Sequence, residues 1–322
     1  MSATDALALF YASLAVSLPT FAWVVLGLLL NRLGLLPEAL TVKVSRLAFN
    51  FGLPLMLLAG AAQVDYSRLG NARYLLAGVL ATLLTLVLSG LYSHWRGHPQ
   101  AERGIFVQAA FRSNLAIVGV ALTFSAYGER GPALAALPVA LMTVLYNILA
   151  VWVLNTTLGS KTSFGRVVLG VIRNPLIIGI TVGVCLSLAG LADPGLFGPV
   201  STGLSAFFLP LVLVCIGASM NPSRLYRAGA LTWEATVWRL CVAPLLAVML
   251  ALLLGVRDEQ LGVLFLLLAT PVAASSHVMV VAARGDGTLA ANLVVLTTLL
   301  SLVTITVGFF VLSLFSVVGT VQ

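Results

Sequence analysis

The stretch that decides the fold reads Phe111-Arg112-Ser113-Asn114-Leu115-Ala116-Ile117-Val118-Gly119-Val120-Ala121 and lies within an apolar segment covering residues 103–126. Such a segment is long enough to cross about 30 Å of hydrocarbon, which places Arg112, Ser113 and Asn114 near its centre. Polar side chains and irregular backbone at that depth are tolerated only where protein or a water-filled cavity surrounds them. The stretch therefore predicts a functional site inside a membrane.

The composition extends this interpretation to the whole chain. Of its 322 residues 60% are hydrophobic and 8% are charged, and the mean hydropathy is +1.10, whereas a soluble domain has about 25% charged residues. We interpret the chain as an all-α polytopic membrane protein, and we attribute its net charge of +7 to cytoplasmic loops rather than to nucleic-acid binding. The three cysteines lie in separate apolar segments without partners at metal-ligand spacing, so we expect neither a disulfide, a metal nor a cofactor.

Apolar runs bounded by charged residues or by glycine and proline predict ten transmembrane helices. The predicted spans cover residues 8–31, 42–62, 73–94, 103–126, 132–156, 167–190, 197–219, 232–254, 260–283 and 289–315. The first span lacks a positively charged start and a small-residue cleavage site, so we interpret it as a retained helix rather than a signal peptide. Lys and Arg number eleven in one set of alternate loops and four in the other. This asymmetry predicts that both termini lie on the non-cytoplasmic side.

A repeat with a constant offset divides the chain into residues 1–158 and 159–322. Leu18-Pro19 in the first span corresponds to Asn174-Pro175 in the sixth, Gly27 corresponds to Gly183, and Leu53-Pro54-Leu55 corresponds to Leu209-Pro210-Leu211, each at an offset of 156. Each half contains five predicted spans, an odd number, so the second half enters the membrane upside down. Inverted repeats of this kind are typical of secondary transporters, whose sites form at the midplane where broken helices meet.

The fourth span supplies the first candidate substrate-binding residues: Arg112, Ser113, Asn114 and Gly119. Arg112 lies about 15 Å from the start of the span, too deep to reach the surface easily. A helix broken near Asn114 and Gly119 would present free N–H groups and a positive dipole end, which suits a carboxylate. The alternative is that Arg112 pairs with a helix C-terminus or an aromatic face and has only a structural role.

The ninth span supplies a second group, in the sequence Ala269-Thr270-Pro271-Val272-Ala273-Ala274-Ser275-Ser276-His277. Pro271 removes a backbone hydrogen bond, and the small residues that follow permit close helix crossing. Ser275, Ser276 and His277 then offer two hydroxyls and an imidazole that titrates near physiological pH. His277 is either a proton-coupling or anion-binding group or a buried histidine satisfied by its neighbours.

Other spans contribute weaker candidates. Asn50 and Pro54 make the second span another candidate wall of the site, although Pro54 alone is also explained as a kink. Arg239, about 10 Å into the eighth span, is interpreted as a structural residue that extends to the membrane surface. Tyr146 and Asn147 in the fifth span are expected to link helices by hydrogen bonds.

The positions of the acidic residues narrow the substrate class. All ten lie in loops or near the ends of predicted spans, so no carboxylate is expected at the midplane. A cation pump or sodium/proton antiporter normally needs one there, and a midplane arginine without an acidic partner favours an anionic substrate. Sodium held by carbonyl and hydroxyl oxygens stays open, because such a site leaves no charged signature. His277, Ser275 and Ser276 lack an acidic partner in the membrane, so a membrane enzyme is not expected.

Motifs along the whole chain resemble the auxin efflux carrier family in its short bacterial, malonate permease-like form. They include Leu18-Pro19, Leu53-Pro54, Ser113-Asn114 with Gly119, Arg173-Asn174-Pro175 and Thr270-Pro271-Val272-Ala273 leading to Arg284-Gly285-Asp286-Gly287. The resemblance implies ten helices in two inverted five-helix repeats, with helices 4 and 9 broken and crossing. It also implies elevator-type alternating access, a homodimer, a bacterial inner-membrane location, and an organic anion whose carboxylate contacts Asn114.

The chain departs from the family pattern at two positions and lacks one long loop. Ala121 stands where the fourth-span pattern has proline, which leaves Gly119 to supply the break, and Ser276 stands where plant members have a second proline. Because the long cytoplasmic loop of plant carriers is absent, auxin is not the expected substrate. A small dicarboxylate such as malonate or malate is preferred on charge, because it fits Arg112 together with a helix end. Two alternatives stay open: a sodium-coupled organic-anion symporter resembling the bile-acid carriers, with Na+ or H+ as coupling ion, and a non-transporting membrane sensor.

Overall fold

The computed structural model describes residues 3–63, 73–159, 164–220 and 229–319, and in this part of the chain the secondary structure is helical throughout. The helices of the first half are α1 (Ala3–Arg32), α2 (Glu38–Leu47), α3 (Leu53–Ala62), α4 (Arg73–Trp95), α5 (Gln100–Phe111), α6 (Val120–Tyr127) and α7 (Arg130–Leu158). Those of the second half are α8 (Phe164–Ile172), α9 (Pro175–Leu188), α10 (Pro194–Ala218), α11 (Ala230–Val237), α12 (Ala243–Leu253), α13 (Asp258–Leu268), α14 (Ala274–Ala282) and α15 (Gly287–Leu314).

Seven of the ten predicted spans are long apolar helices in the described residues. They cover Ala6–Arg32, Ala39–Ala62, Arg73–Trp95, Arg130–Leu158, Gly195–Ala218, Ala230–Leu253 and Gly287–Leu314. Continuous helices suit this composition, because hydrocarbon offers no partner for backbone polar groups and a helix pairs them internally. The three other predicted spans, 103–126, 167–190 and 260–283, are each divided between two shorter α-helices, the first also containing a π-helical turn.

Two prolines explain two local widenings of long helices. Pro54 and Pro244 each lie two residues after the end of a π-helical turn, formed by Ala48–Gly52 and Trp238–Val242 respectively. A proline inside a helix donates no N–H, and its ring collides with the carbonyl four residues earlier. The wider turn accommodates the ring without ending the helix, so both spans stay continuous.

The helices pack as two groups. One group, which we call the panel, contains α1, α2, α3, α9 and α10, with α1 packed on α10 and α3 packed on α9 and α10. The other group, which we call the crossing bundle, contains α4 to α7 and α11 to α15, with α4 against α12 and α5 against α7. The two groups meet where α1 contacts α15 and α6, and where α3 and α9 contact α7.

Glycines allow the closest approaches within the panel. A Cβ atom placed on Gly27 of α1 would overlap the backbone carbonyl of Val214 in α10, and one on Gly183 of α9 would overlap that of Leu58 in α3. Gly27 and Gly183 are also the pair that the sequence repeat relates by an offset of 156 residues. Both repeat-related glycines thus serve the same purpose, which is backbone contact between two apolar helices.

Candidate functional site

Two interrupted helices meet at the centre of the crossing bundle. Helix α5 ends at Phe111 and α13 ends at Leu268, and residues 112–114 and 271–273 run antiparallel to each other, with a bridge between Ser113 and Val272. The Asn114 N–H donates to the Pro271 carbonyl at 2.8 Å, and the Ala273 N–H donates to the Arg112 carbonyl at 3.2 Å. We call these two three-residue segments the crossing. The expected break and contact of the fourth and ninth spans are therefore present.

The break in the fourth span does not lie where the sequence placed it. The chain leaves the α-helix at Arg112, whereas Gly119 closes a π-helical turn, Leu115–Gly119, and its N–H donates to the Asn114 carbonyl at 3.1 Å. The expectation that Gly119 supplies the break was wrong. A Cβ on Gly119 would lie 2.8 Å from Leu267 Cδ2, so this glycine instead permits close packing of the fourth span against α13.

Side-chain hydroxyls replace the hydrogen bonds that the break in the ninth span removes. Pro271 cannot donate to the Leu267 carbonyl, and the Thr270 hydroxyl donates to that carbonyl at 2.9 Å instead. The Val272 N–H donates to Thr297 Oγ1 of α15 at 3.0 Å. The N–H groups of Asn114, Val272 and Ala273 are thus paired although they lie outside a helix, as a low-dielectric environment favours.

Arg112 enters the bundle from the crossing and is only 6% exposed. Its Nη2 donates to Asn147 Oδ1 at 2.9 Å and to Ser275 Oγ at 3.1 Å, while Nε and Nη1 are buried without a hydrogen-bond partner. Among the described residues no carboxylate forms an ion pair with it. The expectation that Asn147 and Tyr146 link helices is confirmed, since Tyr146 OH also lies 3.0 Å from Ser113 Oγ.

A cavity of about 390 Å³ lies beside Arg112, between the panel and the crossing bundle. The crossing bundle contributes one wall, formed by Arg112, Ser113, Asn114, Leu115, Ala116, Ile117, Thr143, Tyr146, Asn147, Ala273, Ala274 and Ser275. The panel contributes the facing wall, formed by Ser45, Phe49, Asn174 and Leu176. Apolar atoms form most of the lining surface, and nine of the sixteen lining residues contribute polar side-chain groups. An apolar surface with convergent polar groups is the usual character of a small-molecule site.

Four of the ten candidate substrate-binding residues line this cavity: Arg112, Ser113, Asn114 and Ser275. Pro271 lies directly behind them, where its carbonyl accepts the hydrogen bond from the Asn114 N–H. Candidate residues of the fourth span and of the ninth span therefore lie together on one wall of the cavity.

The other candidate substrate-binding residues lie outside the lining. Ser276 is buried and its hydroxyl has no partner, and half-buried His277 lies near the start of α15, close to Gly287. Asn50 is exposed on the panel, while Pro54 is buried where α3 packs against α9.

The sequence indicated the second span as a wall of the site, but it did not identify the residues by which the panel lines the cavity. Asn174 caps the N-terminus of α9, its Oδ1 accepting the Leu176 N–H at 2.9 Å, and α9 therefore begins at the cavity. Ser45 lies in the last turn of α2, and Phe49 lies within the π-helical turn Ala48–Gly52. The Asn174-Pro175 pair was noted as a repeat marker, and an amide before a proline also signals a helix start.

Arg239 does not extend to the membrane surface, which corrects the interpretation from the sequence. It is 1% exposed, its Nη1 donates to the Ala110 carbonyl at 3.0 Å, and its Nη2 donates to the Leu268 carbonyl. These carbonyls belong to the last turns of α5 and α13. The side chain points inward because two helix ends in the bundle interior provide acceptors that an unbroken helix would not.

The helix ends give the site a definite electrostatic character. Helix α14 begins at Ala274, on the cavity wall, without a side-chain cap. The Ser276 N–H donates to the Ala273 carbonyl at 2.9 Å, whereas the N–H groups of Ala274 and Ser275 precede the first helical acceptor, and the end of the helix carries about half a positive charge. Together with the guanidinium of Arg112, this end makes the crossing-bundle wall an anion-attracting surface.

Comparison with known proteins agrees with this architecture. The family model described as membrane transport protein matches residues 13–309, which is nearly the whole chain. A protein of Methanothermobacter thermautotrophicus described as an uncharacterized transporter is 25% identical over 301 residues, covering 92% of this chain and 97% of that protein. The chain therefore belongs to the membrane transport protein family that contains the auxin efflux carriers, and it is a transporter rather than an enzyme.

Proposed function

We propose that this protein is a secondary transporter of a small organic anion, with the substrate bound in the cavity between the panel and the crossing bundle. The observation that carries the proposal is Arg112, which is buried beside the cavity with two nitrogen positions unpaired and no carboxylate partner among the described residues. Burying a guanidinium with unpaired nitrogens costs free energy unless an anion binds to it. A bound carboxylate supplies the missing acceptor oxygens.

The two walls of the cavity favour a dicarboxylate over a monocarboxylate. Arg112 contributes one positive charge and the N-terminal end of α14 about half a charge more, so the site calls for an anion. One carboxylate would leave about half a positive charge and a dicarboxylate such as malonate or malate about half a negative one, so the preference rests on the amides rather than on the charge. Asn114 on one wall and Asn174 on the other offer amides to the two ends of such a molecule, and we assign Asn114 to the carboxylate held at the crossing.

The position of the cavity supports alternating access of the elevator type. The panel forms one wall and the crossing bundle the other, so movement of the bundle along the panel would carry the bound anion with it. In this proposal the ten predicted spans form two inverted five-helix repeats, with both termini on the non-cytoplasmic side of a bacterial inner membrane. Ser45 and Asn174 then lie near the positively charged loops, and the cavity faces the cytoplasm.

The break in the fourth span bears on the alternative of a non-transporting sensor. The absence of proline at Ala121 is the sequence feature that favoured a sensor, because it questioned whether the span is broken. The crossing forms without that proline, through residues 112–114. No described feature then favours a sensor over a carrier, and we propose a homodimeric carrier whose coupling ion, if any, is H+ or Na+.

The decisive experiment is tracer flux in proteoliposomes with a panel of monocarboxylates and dicarboxylates, each with and without Na+ and a pH gradient. We expect saturable flux of one dicarboxylate that falls at least about tenfold in Asn114→Ala, the equivalent of about 1.4 kcal/mol of lost binding. The matched control is Asn31→Ala, which removes an exposed amide at the end of α1 and should transport normally. Flux of an anion that is indifferent to Asn114 would place the site elsewhere in the bundle.

A further inference from the structure

Arg239 pairs with the two backbone carbonyls that the crossing leaves without their helical donors. In an unbroken helix the Ala110 carbonyl would accept from the N–H of Asn114, and the Leu268 carbonyl from that of Val272. Those two N–H groups donate to the Pro271 carbonyl and to Thr297 Oγ1 instead. Both freed carbonyls accept from one guanidinium, that of Arg239.

The charges at this point balance. The C-terminal ends of α5 and α13 each carry about half a negative charge, and they converge on the single positive charge of Arg239. The guanidinium is 1% exposed and does not line the cavity, whereas Arg112 does. The two buried arginines therefore have separate partners: Arg112 faces the cavity, and Arg239 faces the helix C-termini.

Carbonyl oxygens at the ends of broken helices are the groups with which sodium-coupled carriers hold Na+. We propose that Arg239 is a built-in counter-cation that occupies the position where a coupling cation would otherwise bind between α5 and α13. Anion transport by this protein then needs no Na+ at the crossing, and removal of the guanidinium creates a vacancy for a small cation. The prediction that flux needs no Na+ rests on the proposed transport of an anion, whereas the prediction that Arg239 fills a cation position does not.

The first test compares flux of the accepted anion with Na+, K+ or choline as the only added monovalent cation. The wild-type protein should transport equally well in all three. In choline, the flux of Arg239→Ala should be at least about tenfold lower than that of the wild type. Part of this flux should return when Na+ or guanidinium is added at millimolar concentration. Arg32→Ala is the control, because it removes an exposed arginine at the end of α1 and should behave as the wild type in every cation.

The second test needs no substrate and measures the thermal midpoint of the purified protein. Loss of the guanidinium leaves two buried carbonyls unpaired, so Arg239→Ala should unfold about 5–10 °C below the wild type. Millimolar guanidinium should recover part of that difference, while equal concentrations of choline should not. The thermal midpoint of Arg239→Lys should lie between those of the wild type and Arg239→Ala, because one ammonium keeps the charge but lacks the planar fork that reaches both carbonyls.

Three results would overturn the proposal. They are Na+-dependent flux or Na+-dependent thermal stabilisation of the wild type, unchanged flux of Arg239→Ala in choline, and equal effects of guanidinium and choline on Arg239→Ala. The wild-type measurement decides the question even if the alanine variant does not fold. If no anion is transported by the wild type, the proposed function fails, while the thermal measurements still decide whether Arg239 fills a cation position.

Discussion

Thr297 offers the sharpest test of how the crossing is held together. Its hydroxyl accepts the Val272 N–H at 3.0 Å and donates to the Leu293 carbonyl of its own helix at 2.7 Å. In Thr297→Val the shape of the side chain is kept, but a buried backbone N–H loses its acceptor. Leaving such a donor unpaired costs about 1–3 kcal/mol.

The neighbouring residue provides a matched control. Thr298 is also buried in α15, and its hydroxyl donates to the Val294 carbonyl of the same helix at 2.6 Å. Thr298→Val therefore loses one bond, from its hydroxyl to a carbonyl of the same helix. Thr297→Val loses a bond of that kind and also the bond to the Val272 N–H. The difference in stability between the two variants therefore measures the bond to the crossing. At about 2 °C per kcal/mol for a chain of this size, Thr297→Val should unfold roughly 2–6 °C below Thr298→Val.

The assay is thermal unfolding of both purified variants in the same detergent, with the wild type as reference. Substrate-free protein suffices, because the bond is internal. Equal midpoints for the two variants would refute the reasoning, since they would mean that the crossing finds another acceptor for the Val272 N–H at no cost.

Two further predictions address the site and the panel. Arg112→Lys keeps the charge but has no counterpart of Nε and Nη1, the two unpaired donors that we assign to the substrate carboxylate, so the KM for the accepted anion should rise about tenfold; an unchanged KM would remove Arg112 from the site. Gly27→Ala should lower the free energy of unfolding by about 1–3 kcal/mol because its Cβ overlaps a backbone carbonyl of α10. The control Gly203→Ala adds its Cβ to open space, and equal stabilities of the two variants would contradict the packing argument.

The crossing could be predicted from the sequence because its signals are local. Pro271 removes a hydrogen bond wherever it occurs in a helix, and Arg112 in a long apolar run marks a buried polar site. The exact position of the break in the fourth span could not be predicted, because it depends on a hydrogen bond from the Asn114 N–H to the Pro271 carbonyl in the other half of the chain. The sequence pointed to Gly119 as the break because a glycine is the residue that locally weakens a helix.

The far wall of the cavity and the role of Arg239 depend on tertiary packing in the same way. Asn174 caps α9 whatever faces it, and the sequence does not state that this helix begins opposite Arg112. Arg239 lies close enough to a span end to reach the surface, and only the convergence of two helix ends draws it inward. The inverted repeat of ten spans stays a prediction, supported by seven long helices and three divided spans.

The antiparallel bridge between Ser113 and Val272 also has a consequence for biosynthesis. The two residues are separated by about 160 positions, and a ribosome adding about 5–20 residues per second needs roughly 8–30 s to reach the second after the first. Throughout that interval α5 and α6, of 12 and 8 residues, are each too short to span the bilayer alone, and their open ends have no partner strand. The first half of the newly made chain must therefore wait in the membrane with an incomplete span, which makes this step a natural point for assistance by an insertion factor.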